Sequence, residues 1–210
     1  MASKPNPTRR TQAERREDSI ARLVQACIDC LVEKGYHQTS TLAVARSAGL
    51  SQGALFRHFD SRLTLLELTA ITLSRRFIDN YRAQVDHLLG NGNEDVAVAI
   101  HALHQITRSP EQLAWFELQQ AARTDTELRD VFRPVFLENR RENIALAKQL
   151  IPDIASRMPM MGELVQTLIQ IFHGQTLDAH LEQNPEKDEQ ILALTINLAQ
   201  LATSSLAKKS

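Results

Sequence analysis

What the sequence lacks narrows it first. No stretch approaches the roughly 20 apolar residues that span a bilayer, which excludes a membrane helix. The opening "MASKPNPTRR" carries no apolar run of the kind a secretory signal needs. Both absences predict a cytoplasmic chain with no membrane partner. Glycine and proline number 7 each among 210 residues, aromatics make up 5%, and no segment shows the apolar–polar alternation of a half-buried strand. Leucine and alanine abound instead, and both favour helix. Few aromatic rings also argue against a large planar ligand. No nucleophile–base pair or carboxylate dyad stands in a recognisable motif, so nothing calls for an enzyme, and no residue set calls for a cofactor.

Cysteine is scarce as well. The two present form "CIDC", Cys27 and Cys30, a spacing used by redox pairs and half zinc sites. No second C-x-x-C or H-x-H pair exists to complete a metal shell. Ile20, Leu23, Val24, Cys27, Ile28 and Leu31 follow the spacing of one helix face, with Cys27 on it as a small apolar residue. The prediction is core packing and no metal. Charge is near balance at −1 but unevenly placed: residues 1–60 hold 9 Lys/Arg against 6 Asp/Glu, and residues 61–210 hold 15 against 19. A basic end on an acidic remainder suggests that only the first part meets a polyanion.

Periodicity and caps predict an all-α chain of about nine helices. Residues 1–10, with Pro5, Pro7 and three cations, read as a flexible basic arm. A first helix spans Thr11 to Lys34 and stops at Gly35. Ser40, or alternatively Thr39, caps a short helix over Thr41–Ala48; Ser51 caps another over Gln52–His58; Asp60 or Ser61 caps a long one over 62–88. Further helices cover 94–108, 111–123, 126–150 (bent by Pro134), 161–182 and 187–206. "IPDIASRMP" reads as a connection. The chain divides into a head over 11–60 and a larger remainder over 61–210.

Two short helices joined by a glycine corner are a helix-turn-helix. Ala45 lets the pair approach, Gly49 makes the corner, and Val44, Leu50 and Leu55 close a small core. A recognition helix lies in the major groove with its first turn against base edges. Gln52, Gly53 and Ala54 form that turn: glycine and alanine admit close approach, Ala54 suits a thymine methyl, and Gln52 suits adenine. Arg57, His58 and Arg62 follow where the chain leaves the groove, placed to meet phosphates.

From Gly35 to Leu66 the sequence reads "GYHQTSTLAVARSAGLSQGALFRHFDSRLTLL", which resembles the N-terminal pattern of the tetracycline-repressor (TetR) family at nearly every constrained position. "WFELQQAARTDTELRDVFRP" (115–134) and "FHGQTLDAHLEQNPEKDEQILALTINLA" (172–199) resemble that family's regulatory segments more loosely. The resemblance implies a nine-helix homodimer, paired through its last two helices, with a ligand cavity among the central ones. It puts Ser40 and Thr41 at a phosphate-contacting helix start, and Ser51, Gln52, Gly53 and Ala54 at base-reading or phosphate-facing positions. Phe56 stands where tyrosine is common, removing a hydroxyl contact to phosphate; Arg62 stands where lysine is common; Thr41 occupies a position often apolar. Arg9 and Arg10 stand where they could enter the minor groove or touch phosphate, or stay solvated.

The last two helices are apolar on more than one face, as a symmetric four-helix dimer interface requires. Leu168, Phe172, Ile191, Leu194, Leu198 and Leu201 are the interface candidates. Polar or aromatic groups on apolar central helices are the ligand candidates: His101 and His104; Trp115, Phe116 and Gln119; Phe172 and His173. The expected function is a homodimeric repressor, released from an inverted-repeat operator in double-stranded DNA by a small-molecule effector. The alternative is a constitutive DNA-binding regulator or activator with no ligand. A cavity of a few hundred Å3 would separate them.

Overall fold

Thr11 starts the first helix by a reciprocal cap. The computed structural model describes residues 11–89 and 95–207; Arg9 and Arg10 lie outside them. Thr11 Oγ1 accepts from the Glu14 N–H at 3.2 Å, while the Glu14 carboxylate accepts the Thr11 N–H at 2.8 Å. The helix that follows, α1 (Gln12–Gln38), buries Leu23, Cys27 and Leu31 completely. Each fully buried leucine contributes about 1.5–3 kcal/mol. Burial pushes the Cys27 thiol up to about 11, so it sits in the core as an unionised apolar group, as the stripe predicts. Gly35 leaves helical geometry at φ 77°, ψ 173°, a region essentially closed to other residues.

Serine hydroxyls set the next three boundaries. Ser40 accepts from the Ala43 N–H at 3.2 Å and begins α2 (Thr41–Ser47). Ser51 accepts from the Ala54 N–H at 3.1 Å and begins α3 (Gln52–Leu55). Ser61 accepts from the Thr64 N–H at 3.1 Å at the start of α4 (Arg62–Leu89). Thr39, the other cap candidate, is buried and donates its hydroxyl back to the Gly35 carbonyl at 2.8 Å. α3 is shorter than the expected 52–58. Beyond Leu55 the Arg57 and His58 N–H groups reach only three residues back, tightening the last turn.

The remainder is α5 (Val96–Thr107), α6 (Pro110–Ala121), α7 (Thr126–Leu150), α8 (Pro152–Arg157), α9 (Met161–Asp178) and α10 (Pro185–Ala207). α7 runs through Pro134 as one element. α8 is the difference from expectation, making ten helices among the described residues rather than nine. Pro152 explains it: proline suits the first helical position, so a new helix starts directly after Ile151 ends α7. No strand and no helix apolar and long enough to cross a membrane occurs among the described residues.

α1 packs on α6, α2 and α4, and α4 packs on α7 and α5. The main core is continuous across these helices, running from Leu23 and Leu31 through Leu55, Leu66 and Leu73 to Trp115, Leu118 and Phe132. Arg76 of α4 fastens its edge, bonding Glu111 of α6 at 2.6 Å and Gln25 of α1 at 2.8 Å. A smaller cluster joins Ile100 of α5, Phe172 of α9, and Leu192 and Ala199 of α10.

Candidate nucleic-acid interface and inner chamber

The corner between α2 and α3 is built around Arg22. Gly49 takes φ 65°, and a Cβ added there would lie 3.3 Å from Arg22 Nη2. That same nitrogen reaches from α1 to the Ala48 carbonyl at 2.5 Å, so the corner closes only on glycine. Leu55 is buried beneath α3, with Val44, Ala45 and Phe59 around it. Packed this way, the first turn of α3 faces out: Ser51, Gln52 and Gly53 are exposed and Ala54 half-buried. Gln52 Nε2 donates to Thr41 Oγ1 at 2.9 Å, tying the start of α3 to the start of α2. At Gly53 a Cβ would meet only Ser51 Oγ, at 4.0 Å. Nothing inside the molecule requires glycine there; the gain is a bare backbone toward whatever lies outside.

Phe56 is 47% exposed on the same side, and Arg57 is exposed. His58 lines an open cleft with Arg57 and with Arg15 and Arg16 of α1. Its Nδ1 is buried without a hydrogen-bond partner. Three arginines and an imidazole against one carboxylate, Glu17, leave the cleft net cationic and suited to phosphate oxygens. Arg15 and Arg16 were not among the sequence candidates. The "RR" beside the basic arm was the available signal.

Arg62 is also engaged inside the molecule. Its Nε donates to the Thr39 carbonyl at 2.8 Å and its Nη2 to the Tyr36 carbonyl at 2.7 Å. Its guanidinium carbon lies 4.2 Å from the centre of the Tyr36 ring. Tyr36 in turn binds the body of the molecule. Its N–H donates to Glu117 Oε2 of α6 at 2.7 Å, and its hydroxyl donates to Asp125 Oδ2, the cap of α7, at 2.7 Å. The Leu128 N–H and then the Tyr36 hydroxyl hold the Asp125 carboxyl below its ordinary range, while burial and Asp125 hold the Tyr36 hydroxyl above its own. The head is therefore clamped to the α6–α7 corner.

Two adjoining inner cavities, the lobes of one interior region, share Tyr81, Leu103, Asn143 and Ile169 in their walls, and α6 walls the second. The first lobe, about 50 Å3, is lined by aliphatic side chains of α5, α7, α8 and α9, among them Ile100, Leu150, Ile154 and Leu168. The second, about 40 Å3, carries Gln112, Trp115, Asn139 and His173. Asn143 Nδ2 donates to Asn139 Oδ1 and Asn139 Nδ2 to Ser74 Oγ, each at 2.9 Å, which leaves the Asn143 carbonyl at the head of the chain. Burial lowers the His173 imidazole to about 4, so it is neutral.

The comparisons with known proteins bear on this arrangement. A family model described as bacterial regulatory proteins, tetR family, matches residues 23–69. An HTH-type transcriptional regulator of Mycobacterium bovis is 32% identical over 199 residues, covering 94% of this chain and 99% of the relative. The chain belongs to the TetR family. The HTH-type transcriptional regulator CymR of Pseudomonas putida is 37% identical over 83 residues, 40% of this chain and 41% of that one. A putative transcriptional regulator of Pseudomonas aeruginosa shares the fold at TM-score 0.69 and 18% identity, covering 95% of this chain and 96% of that one. The multidrug binding protein EbrR, solved with imidazole, superimposes at TM-score 0.61 and 21% identity, over 85% of this chain and 93% of its own.

Within this TetR frame the predicted body residues divide. Trp115 and His173 line the second lobe. Phe116 lies beside it in the core, edge-on to His173 at 4.9 Å. His101 and Gln119 are exposed, away from either lobe. His104 is half-buried against Phe172 at 5.1 Å, and burial, then Arg108, lowers its proton affinity. Phe172 has no exposed surface and packs with Ile100, Leu192 and Ala199, lining neither lobe. Leu168 packs inward at the first lobe and Ile191 is half-buried. Leu194, Leu198 and Leu201 are 57%, 56% and 65% exposed, with Ile171 of α9 also exposed. No three His, Cys, Asp or Glu side chains gather into a metal-binding group among the described residues.

Proposed function

We propose that this protein is a homodimeric transcriptional repressor in the cytoplasm, held on an inverted-repeat operator and released by a small molecule entering the inner chamber. The observation that carries the DNA-reading part is the exposed first turn of α3, with its glycine that internal packing does not require. Gln52 and Ala54 read base edges in the major groove. Ser40, Thr41 and Ser51 place helix starts against phosphate, and Arg15, Arg16, Arg57 and His58 grip the backbone. Phe56 supplies apolar contact where a tyrosine would add a hydroxyl bond. Arg9 and Arg10 extend the cationic surface from ahead of α1. In functional terms residues 11–60 read DNA and residues 61–210 sense and dimerise.

The outward leucines of α10, with Ile171 of α9, form the face across which a second copy packs; two heads then reach successive major grooves about 34–36 Å apart. α6 links chamber to head, since Gln112 and Trp115 wall the second lobe and Glu117 holds Tyr36. A ligand that binds more tightly when α6 is displaced shifts the population to a head spacing that no longer fits DNA. One observation favours the second reading, a regulator without effector: the lobes together fall well short of a few hundred Å3.

Mobility-shift titration on DNA flanking the protein's own gene tests the assignment. Wild type should give a specific complex, Gln52→Ala should weaken it by about 1–3 kcal/mol with relaxed sequence choice, and Arg57→Ala should weaken all sequences alike and lower the salt slope by about 1. No specific shift, or two variants indistinguishable from wild type, sinks the recognition residues.

A further inference from the structure

Two polar side chains in the second lobe have no hydrogen-bond partner among the described residues. Gln112 is 3% exposed, and its side-chain amide makes no hydrogen bond there. His173 makes ring contact with Phe116 and no hydrogen bond. A buried amide left unpaired is costly, so such a group inside a cavity wall is satisfied by what the cavity holds. Next to it, the first lobe presents thirteen aliphatic side chains and only Tyr81, Asn143 and Thr203 as polar groups. Across both lobes not one lining residue is lysine, arginine, aspartate or glutamate.

We propose that this chamber takes a small uncharged amphiphile, its alkyl part among the aliphatic side chains of the first lobe and one uncharged polar group hydrogen-bonded to Gln112 and His173 in the second. The inference rests on reading the chamber as the effector site and names the chemical class that fits it. An amide and an imidazole between them offer donors and acceptors, so an alcohol, ketone or amide can be satisfied. A carboxylate or ammonium would enter with no countercharge and lose its hydration. A plain hydrocarbon would leave Gln112 unpaired, which selects for the polar group. The shared wall of Tyr81, Leu103, Asn143 and Ile169 is where tail and head would join.

Trp115, the single tryptophan of the chain, lines the second lobe and reports occupancy by its own fluorescence. The experiment titrates the full-length protein at neutral pH with hexan-1-ol, hexanoate and hexylammonium, in wild type, Gln112→Leu and His173→Phe, with circular dichroism to confirm folding. Hexan-1-ol should give a saturable change, the two ions should bind roughly tenfold or more weakly, and at least one folded variant should lose several-fold in hexan-1-ol affinity. No saturable response to the alcohol, ions binding as well as it does, or two folded variants with wild-type affinity would overturn the proposal. Operator release measured in parallel keeps the two readings apart. Alcohol that binds without releasing DNA supports the chamber chemistry and removes its effector role. A hexanoate that both binds as well and releases DNA does the reverse.

Discussion

Tyr36→Phe removes one oxygen from the joint between head and body. Tyr36 is buried, and its ring lies under the Arg62 guanidinium at 4.2 Å, a contact that phenylalanine retains. Only the 2.7 Å bond to Asp125 is lost. A hydrogen bond to a charged partner is worth about 1.5–3 kcal/mol. Asp125 is half-exposed and keeps its bond from the Leu128 N–H at 2.9 Å, so water can take the vacated position. A loss at or just below the lower end, about 1–1.5 kcal/mol, is therefore expected. For a chain of this size that lowers Tm by about 2–6 °C. The assay is thermal denaturation followed by circular dichroism, run as a double-mutant cycle with Asp125→Ala. A coupling of about 1 kcal/mol is expected between the two positions. Effects that add to within about 0.3 kcal/mol would mean that the short contact carries no stability, and the clamp would rest on Glu117 and Arg62 alone.

Gly35→Ala should cost about 1–3 kcal/mol in urea denaturation, because φ 77° with ψ 173° disfavours any Cβ and this one would lie 3.0 Å from Glu117 Oε2; a wild-type midpoint would refute the strain. His173 is held to about 4 in the folded protein, against roughly 6.5 in an unfolded chain. The unfolded state therefore takes up a proton first as pH falls, and stability should decline by about 2–3 kcal/mol between pH 6.5 and 4; His173→Gln should flatten most of that slope, with the half-buried His104 contributing the same sign. Leu194→Glu, at a 57% exposed site, should leave the fold's melting little changed while weakening dimerisation at least about a hundredfold, because symmetry places the change twice in one interface. Light scattering after gel filtration checks it, and an unaltered dimer would put the interface elsewhere.

Local chemistry was legible in the sequence and orientation was not. Caps read directly because Thr11, Ser40, Ser51 and Ser61 act within three or four residues of themselves. Periodicity likewise identified the Leu23–Cys27–Leu31 face, since an apolar stripe must be buried somewhere. It could not say against what. Trp115, Phe116, Gln119 and the unflagged Gln112 lie on related turns of α6, yet Gln112 is buried and Gln119 exposed. The usable signal was an amide interrupting an apolar stripe, as Asn139 and Asn143 also do on α7. At Arg62 the charge alone points to a polyanion outside, whereas the Thr39 and Tyr36 carbonyls accept two of its N–H groups from within the molecule. The six residues of α8 carry too little period to mark a helix in the sequence.

The unbroken core from Leu23 to Phe132 also constrains how this protein can be rebuilt. Regulators are often imagined as interchangeable reading and sensing parts, spliced to give new pairings. A graft cut at residue 60 would strip α1 of α6, cut Tyr36 from Glu117 and Asp125, and leave Leu23 and Leu31 facing a foreign surface. A working hybrid would have to carry α6 and the start of α7 along with the reading head, or redesign the surface of α1 to suit its new neighbour.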